Sequence, residues 1–199
     1  MIPISLADYY KLHAPIYDAT RWSFLFGRNQ IYNFFPELAP GSKLLDIGCG
    51  TGKITSLLYS AYPNSSITAI DSSQDMLAQA KRKNLHKVRW LHGNYSSVSF
   101  QSDTFDLIIA SYSLTMVEHL DETLAAIKQH LKANGTLLVV DFDQTHKEWF
   151  SNWMAKNHVH FEHRLFERLA QEFKVQEKKT HLAFFGLYNY STIKACLNK

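Results

Sequence analysis

Short apolar runs alternate with amphipathic segments from residue 43 onward. Five of the runs are bounded by Gly, Ser, Asp or Asn, which is typical of strands. They read KLLDI, SITAI, KVRWLH, FDLIIA and TLLVVDF, at residues 43–47, 66–70, 87–92, 105–110 and 136–142. Their apolar positions are nearly continuous rather than alternating, as in parallel strands that are covered on both faces.

The segments between these runs carry helical signals. Residues 72–75, Ser-Ser-Gln-Asp, match a capping box. Leucine and isoleucine recur at helical spacing between 120 and 131, and Asn134-Gly135 is expected to end that helix. Repeated strand, helix and strand predict a doubly wound α/β sheet with right-handed crossovers.

The two ends of the chain differ from this middle part. Residues 5–37 are aromatic-rich and predict two or three helices before the first strand. Residues 173–196 predict two long strands with no helix between them, which must therefore be antiparallel. We expect one domain over 1–199, with an N-terminal helical lid over 1–40 and a cofactor-binding α/β core over 41–199.

Composition narrows the class of protein. The chain has 199 residues, 46% of them hydrophobic, which suits one folded domain. A net charge of +3 without a long basic run argues against a nucleic-acid partner. Two distant cysteines, no secretory signal and no apolar span of membrane length predict a cytoplasmic protein. Peripheral contact with a membrane and the oligomeric state stay open.

The stretch LLDIGCGTGK at 44–53 is a glycine-rich turn directly after a predicted strand. A phosphate-binding P-loop needs a hydroxyl where this chain has Ile54 and a glycine where it has Ile47. A dinucleotide turn needs a third glycine where this chain has Lys53. The remaining pattern is D-x-G-x-G-x-G, from Asp46 to Gly52.

Two acidic residues define what such a turn can bind. Asp46 ends the strand before the turn and can attract an ammonium group. Asp71 ends the next strand, where an acidic side chain can accept from both hydroxyls of a ribose; its alternative role is a helix N-cap. Since the turn also offers free N–H groups, the ligand should have an amino-acid end and a nucleoside end.

With these residues the chain resembles the class I S-adenosylmethionine-dependent methyltransferases. The matching segments are LLDIGCGTGK, ITAIDSSQDML, HGNYSS and FDLIIASYSL. The resemblance implies a Rossmann-like sheet of seven strands, mostly parallel with an antiparallel last strand, and S-adenosyl-L-methionine as cofactor, with S-adenosyl-L-homocysteine as product. It implies these cofactor-binding residues: Tyr17, Asp46, Gly48, Cys49, Gly50, Thr51, Gly52, Asp71, Ser72, Met76, Asn94, Tyr95, Ser111, Tyr112 and Ser113. Asn94 stands where the family commonly has an acid.

A narrower resemblance concerns the acceptor. HAPIYDATRWSFLFGR, SYSLTMV, VVDFDQ and WMAKNHVHF are similar to segments of diacylglyceryl-homoserine and phosphatidylethanolamine N-methyltransferases. This implies N-methylation of an amine on a lipid headgroup or a lipid-like molecule. Three alternatives stay open: O-methylation of a small soluble metabolite, a cofactor-binding regulatory protein without activity, and a nicotinamide oxidoreductase.

Candidate chemistry beyond the cofactor rests on a few side chains. Tyr17 would close over the cofactor, and Arg21 and Arg28 would hold a substrate carboxylate or phosphate. Asp141 would attract the amine or accept its proton, or else cap a segment, and His158 would be a base. Each of these residues has an ordinary structural role as its alternative. The spacing of the histidines gives no metal site, and His119 receives no role.

Overall fold

The computed structural model describes residues 25–28, 30–161 and 164–198. Within them the chain forms one seven-stranded sheet in the order β3-β2-β1-β4-β5-β7-β6. The strands are β1 (Lys43–Ile47), β2 (Ser66–Asp71), β3 (Val88–His92), β4 (Phe105–Ser111), β5 (Leu131–Gln144), β6 (Phe173–Ala183) and β7 (Tyr188–Leu197).

Five α-helices accompany the sheet in these residues. They are α1 (Lys53–Ala61), α2 (Gln74–Lys81), α3 (Leu120–His130), α4 (Glu148–Ala155) and α5 (Leu165–Glu172). Short 3₁₀ turns lie at Gln30–Phe34, Tyr95–Ser97, Leu114–Met116 and Phe184–Gly186. Ser73 caps α2 by accepting from the backbone N–H of Met76 at 3.3 Å. The predicted helix start is therefore right to within one residue, but the N-cap is Ser73 and not Ser72, the first residue of the predicted capping box.

Strand directions agree with the predicted topology. β1 to β5 run parallel, and β7 pairs antiparallel with both β5 and β6. Neighbouring residues of one strand enter different clusters: Leu44 packs into one hydrophobic cluster and Leu45 into another, and both are fully buried. Both faces of the central strands are therefore covered, which explains their continuous apolar runs.

The end of α3 differs from the prediction. The helix stops at His130, and β5 begins at Leu131, where the Cα of Leu131 is paired with Phe105. Asn134-Gly135 therefore lies inside an extended segment, and the expected helix stop there was wrong. An apolar residue at helical spacing fits equally well as the first residue of a buried strand, and pairing with β4 decides the outcome.

The predicted N-terminal helices lie mostly outside the described residues. The described part of that segment contains the 3₁₀ turn at Gln30–Phe34, whose Ile31 and Phe34 are buried. No described helix is long and apolar enough to cross a membrane.

Candidate active site

The glycine turn follows β1 and is built on positive φ angles. Gly48 has φ +65°, and a Cβ on it would lie 2.3 Å from the Cβ of Ser113. Gly50 has φ +54°, and a Cβ there would meet no described atom within 4 Å, because it would project into open space. Gly48 therefore serves close packing against the β4 loop. At Gly50 the absent side chain leaves room for a ligand to approach the backbone.

Asp46 lies behind this turn and is almost completely buried. Its Oδ2 accepts from the hydroxyl of Thr55 on α1 at 2.6 Å. Its Oδ1 is buried and has no hydrogen-bond partner among the described residues. Burial raises the pKa of Asp46 to about 7, against the opposing effects of the Thr55 hydrogen bond and the nearby charge of Arg28. One carboxylate oxygen of Asp46 is thus left without a hydrogen bond from the described residues.

Asp71 holds the turn from the end of β2. Its Oδ2 accepts from the backbone N–H of Gly50 at 2.7 Å, and its Oδ1 accepts from the N–H of Ser73 at 2.8 Å. Burial raises the pKa of the Asp71 carboxyl, and these two hydrogen bonds oppose the rise. Each oxygen keeps a further lone pair, because a carboxylate has about four acceptor positions.

A cavity of about 360 Å³ opens at the carboxyl edge of β1 to β4. Its lining residues are Arg28, Ile47, Gly48, Gly50, Ile70, Asp71, Ser72, Met76, Gly93, Asn94, Tyr95, Ser96, Tyr112, Ser113, Met116, Val117, Glu118, His119 and Thr123. Of the predicted cofactor residues, nine line it: Gly48, Gly50, Asp71, Ser72, Met76, Asn94, Tyr95, Tyr112 and Ser113.

Five predicted cofactor residues lie in the strands and the turn but do not line the cavity: Asp46, Cys49, Thr51, Gly52 and Ser111. Cys49 is buried, and its backbone N–H donates to Ile70 at 3.0 Å, which ties the turn to β2. Gly52 is the N-cap of α1. Ser111 is buried at the end of β4, and its hydroxyl has no partner among the described residues.

One side of the cavity depends on a buried polar pair. The phenol of Tyr95 lies 2.8 Å from Nδ1 of His130 at the end of α3. Burial lowers the pKa of His130 and raises that of Tyr95. Since the Tyr95 hydroxyl is held in the core, the 3₁₀ turn at Tyr95–Ser97 is fixed beside Asn94, the predicted adenine contact.

The opposite side of the cavity is the loop after β4. Tyr112 has φ +53°, its N–H donates to Val140 at 2.7 Å, and its hydroxyl donates to the carbonyl of Phe26. The hydroxyl of Ser113 donates to the carbonyl of Ile47 at 2.9 Å, so this loop is fastened to the strand before the glycine turn. A left-handed tyrosine is uncommon, and these contacts hold it.

Asp141 does not occupy the cavity. It is fully buried in β5, and five donors reach its carboxylate: the N–H groups of Ser113, Leu114, Thr115 and Phe142 and the hydroxyl of Thr115, at 2.6–3.2 Å. Burial raises its pKa to about 6, with these hydrogen bonds opposing. The geometry favours the alternative structural role, in which Asp141 caps the β4 loop, over direct proton transfer.

The remaining candidates are placed as follows. Tyr17 and Arg21 lie outside the described residues. His158 follows α4 with φ +61°, is half-buried and does not line the cavity. Arg28 does line it, and its charge acts on Asp46. In the described part of the chain, no group of three or more His, Cys, Asp or Glu is placed to hold a metal ion.

Sequence reasoning missed the residues that complete the cavity between β4 and α3. Met116, Val117, Glu118, His119 and Thr123 all line it, and Glu118 and His119 are exposed. Their position just after the carboxyl end of a parallel strand was an available signal, because ligands of open α/β sheets bind at that edge.

Fold and site together define a protein class. A doubly wound sheet whose last strand is reversed, a D-x-G-x-G-x-G turn and an acid at the end of β2 are features of class I S-adenosylmethionine-dependent methyltransferases. Residues 44–135 match the family model described as a methyltransferase domain. The chain carries a methyltransferase domain of this class, as the sequence predicted.

Two known methyltransferases are similar in sequence to part of this chain. Trans-aconitate 2-methyltransferase of Deinococcus radiodurans is 30% identical over 137 residues, covering 69% of this chain and 47% of that protein. Malonyl-[acyl-carrier protein] O-methyltransferase of a Paenibacillus species is 34% identical over 106 residues, covering 50% of this chain and 38% of that protein. The chain thus spans less than half the length of either relative.

Among solved structures, phosphoethanolamine N-methyltransferase 2 of Haemonchus contortus, in complex with phosphomonomethylethanolamine and S-adenosylhomocysteine, is similar with a TM-score of 0.81. The match covers 98% of this chain and 61% of that one at 16% identity. At that identity the similarity confirms the fold.

Proposed function

We propose that this chain binds S-adenosylmethionine in the cavity at the carboxyl edge and catalyses transfer of its methyl group to an amine of a lipid headgroup or a lipid-like molecule. The observation that carries the cofactor assignment is the buried Oδ1 of Asp46, which has no partner among the described residues. A buried carboxylate oxygen is costly unless a donor or cation satisfies it. We assign the ammonium of the cofactor to this oxygen; because Asp46 does not line the cavity, the glycine turn must shift for the two to meet.

The surrounding residues fit the other parts of the cofactor. Asp71 has acceptor capacity left for the ribose hydroxyls, and Asn94 can accept from the adenine amino group. Gly50 leaves open space beside its backbone. Arg28 lines the cavity close enough to influence Asp46, so it is suited to the cofactor carboxylate as well as to an acidic acceptor.

S-adenosylmethionine supplies, when bound, an electrophilic methyl group on a sulfonium. What the chain must do is align an acceptor and exclude water. Tyr112 and Ser113, held by the β4 loop, form the fixed wall for this alignment, and Asp141 acts as the positioning residue behind them. Tyr17 and His158 stay proposals for closing the site and for accepting a proton.

An amine acceptor fits the charge at the cavity. Glu118 is exposed and lines the cavity, so it can attract an ammonium before the amine loses its proton. The aromatic face of Tyr112 can stabilise a methylated ammonium. The similarity in fold to a phosphoethanolamine N-methyltransferase adds modest support.

A second candidate is O-methylation of a small carboxylate. Arg28 favours it, because a guanidinium in the cavity can hold an acidic acceptor bidentately. Two of the relatives are also named for a small acid and for O-methylation.

The test combines binding and turnover. Calorimetry with S-adenosylhomocysteine should give a complex, whereas NAD should neither bind nor raise the melting temperature. Incubation with methyl-labelled donor and a panel of amine lipids, free amines and small carboxylates should label the amine lipids. Label only in carboxylates would support the second candidate. Binding without any transfer would identify a regulatory, non-catalytic domain instead.

A further inference from the structure

Four exposed apolar side chains lie at or beyond the carboxyl ends of β5 and β6. Trp149 and Trp153 on α4 are 61% and 45% exposed. Leu182 at the end of β6 is 72% exposed, and Phe185 in the hairpin turn between β6 and β7 is fully exposed. We call these four residues the aromatic rim.

The two parts of the aromatic rim, one on α4 and one on the β6–β7 hairpin, lie on one surface. Phe150 of α4 stacks on Tyr188 at the start of β7, with ring centroids 5.8 Å apart. The hydroxyl of Thr145, just before α4, donates to the carbonyl of Leu187 at 2.6 Å. Helix and hairpin are thus joined at the carboxyl ends of β5 and β6.

α4 is amphipathic in an unusual way. Phe150 and Met154 face the core and are buried, as expected. The neighbouring face carries Trp149 and Trp153, whose rings both contact that of Phe150, and it continues to the C-cap residue Lys156; the i, i+4 and i+7 spacing brings the three together. Tryptophan beside lysine on one helix face is typical of helices that lie in a membrane interface.

Phe185 provides a second, independent observation. Its backbone has φ +55°, as does that of Phe184 at φ +50°. A bulky residue in this left-handed region is strained, and the fully exposed ring of Phe185 gains little burial in return, beyond an edge-on contact with the ring of Phe184 at 6.2 Å. Strain of this kind is often retained where a residue acts on a ligand.

The segment that follows α4 connects the aromatic rim to the wall of the cavity. The N–H of His160, in the segment after α4, donates to the carbonyl of Thr115 at 2.9 Å. The neighbouring Met116 lines the cavity. An acceptor that is anchored at the rim is therefore close to the β4 loop.

We propose that the aromatic rim docks onto an anionic phospholipid surface and presents the cavity to it. Charge supports an anionic surface as the partner: within residues 147–156, Lys147 and Lys156 are basic, Glu148 is the single acidic residue, and all three are exposed. Basic residues add electrostatic attraction to the apolar insertion of the rings. The proposal rests on the proposed function for its lipid acceptor, but docking itself needs no catalysis.

Vesicle flotation tests the docking. The unsubstituted chain should float with vesicles of equal parts phosphatidylcholine and phosphatidylglycerol, and less with phosphatidylcholine alone. The double variant Trp149→Ala/Trp153→Ala should bind about tenfold more weakly, since two interfacial rings are lost. Tyr32→Ala is the matched control: Tyr32 is 56% exposed, but it packs with Phe35 near the far end of α1.

Phe185→Gly separates docking from folding. Glycine adopts the left-handed region without strain, so this variant should unfold at the same or higher urea concentration while binding vesicles more weakly. Failure of the unsubstituted chain to float, or unchanged flotation of both variants, would overturn the proposal. So would a dimer that the double variant dissociates in vesicle-free buffer, because the rim would then bind a second copy.

Calorimetry with S-adenosylhomocysteine on the same preparations keeps the two proposals apart. Cofactor binding without flotation would overturn the docking alone. Flotation without cofactor binding would overturn the proposed function alone.

Discussion

Two buried aspartates on either side of β4 make a useful comparison. Asp46 is the last residue but one of β1 and Asp141 lies in β5, and both are at most 1% exposed. Thr55 alone donates to Asp46 among the described residues, and its Oδ1 has no partner there, whereas five donors surround Asp141. Burial raises the pKa of Asp46 to about 7 and that of Asp141 to about 6.

We propose that this difference distinguishes a carboxylate that binds a ligand, Asp46, from a structural one, Asp141. Hydrogen bonds from the protein complete the environment of Asp141, so it stabilises the β4 loop. The environment of Asp46 is incomplete until a donor or cation arrives. Burial alone therefore does not reveal the role of an acid, but the number of its donors does.

The largest expected effect on folding is at Asp141. Asp141→Asn replaces an acceptor oxygen by an N–H₂ group that faces N–H donors, so the free energy of unfolding should fall by about 3 kcal/mol. Asp46→Asn, its matched control, keeps the acceptor for Thr55 and removes a costly buried charge, so the change should stay below about 1 kcal/mol. Urea unfolding measures both; equal losses would contradict the comparison.

Gly50→Val should nearly abolish cofactor binding. The branched side chain would project into the open space where a ligand approaches, so we expect affinity for S-adenosylhomocysteine to fall at least about 100-fold. Gly41→Val is the control, because Gly41 has φ +85° and equally open surroundings but does not line the cavity. Both variants should carry similar backbone strain. Calorimetry with S-adenosylhomocysteine should show weakened binding in Gly50→Val and unchanged binding in Gly41→Val.

Asp71→Ala should weaken binding of S-adenosylhomocysteine by about 1–3 kcal/mol, because the ribose hydroxyls lose their acceptor. Asp106→Ala is its control: Asp106 forms a salt bridge with Lys132 at 2.8 Å near the start of β4 and does not line the cavity. Unchanged affinity in the Asp71 variant would contradict the ribose assignment.

The smallest effect concerns pH and Asp46. Its folded pKa of about 7 exceeds the ordinary 3.8, so the cofactor-free fold retains a proton that the unfolded chain releases. This group's contribution to stability therefore falls as pH rises from about 4 to 7 and is constant above. The ammonium group of a bound ligand prefers the ionised form of Asp46. Affinity for S-adenosylhomocysteine should therefore rise by up to about tenfold per pH unit towards pH 7 and then level off.

Asp46→Asn should remove that pH dependence and lower the affinity at pH 8 by about 1 kcal/mol. Calorimetry between pH 5.5 and pH 8 measures both. A slope that persists in the variant would assign the titration to another group, with Asp71, which lines the cavity and whose pKa burial also raises, as the first to examine.

Much of the fold was predictable from local pattern. The runs at 43–47 and 105–110 agree with β1 and β4 to within one residue, and the reversed last strand followed from the missing helix. The start of β5 could not be predicted from local pattern, because Leu131 fits helical spacing and only its pairing with Phe105 makes it extended.

For the site, the sequence by itself determined the part to which we assign the cofactor: the glycine turn, Asp46 and Asp71. Their geometry depends on backbone angles and on strand ends close in sequence, so a short motif is sufficient. Only the tertiary structure decided that the carboxylate of Asp141 accepts hydrogen bonds from residues 26–28 positions away. The same is true of the contact that brings α4 and the β6–β7 turn together in one aromatic rim. Such contacts arise from long-range packing, which no local pattern encodes.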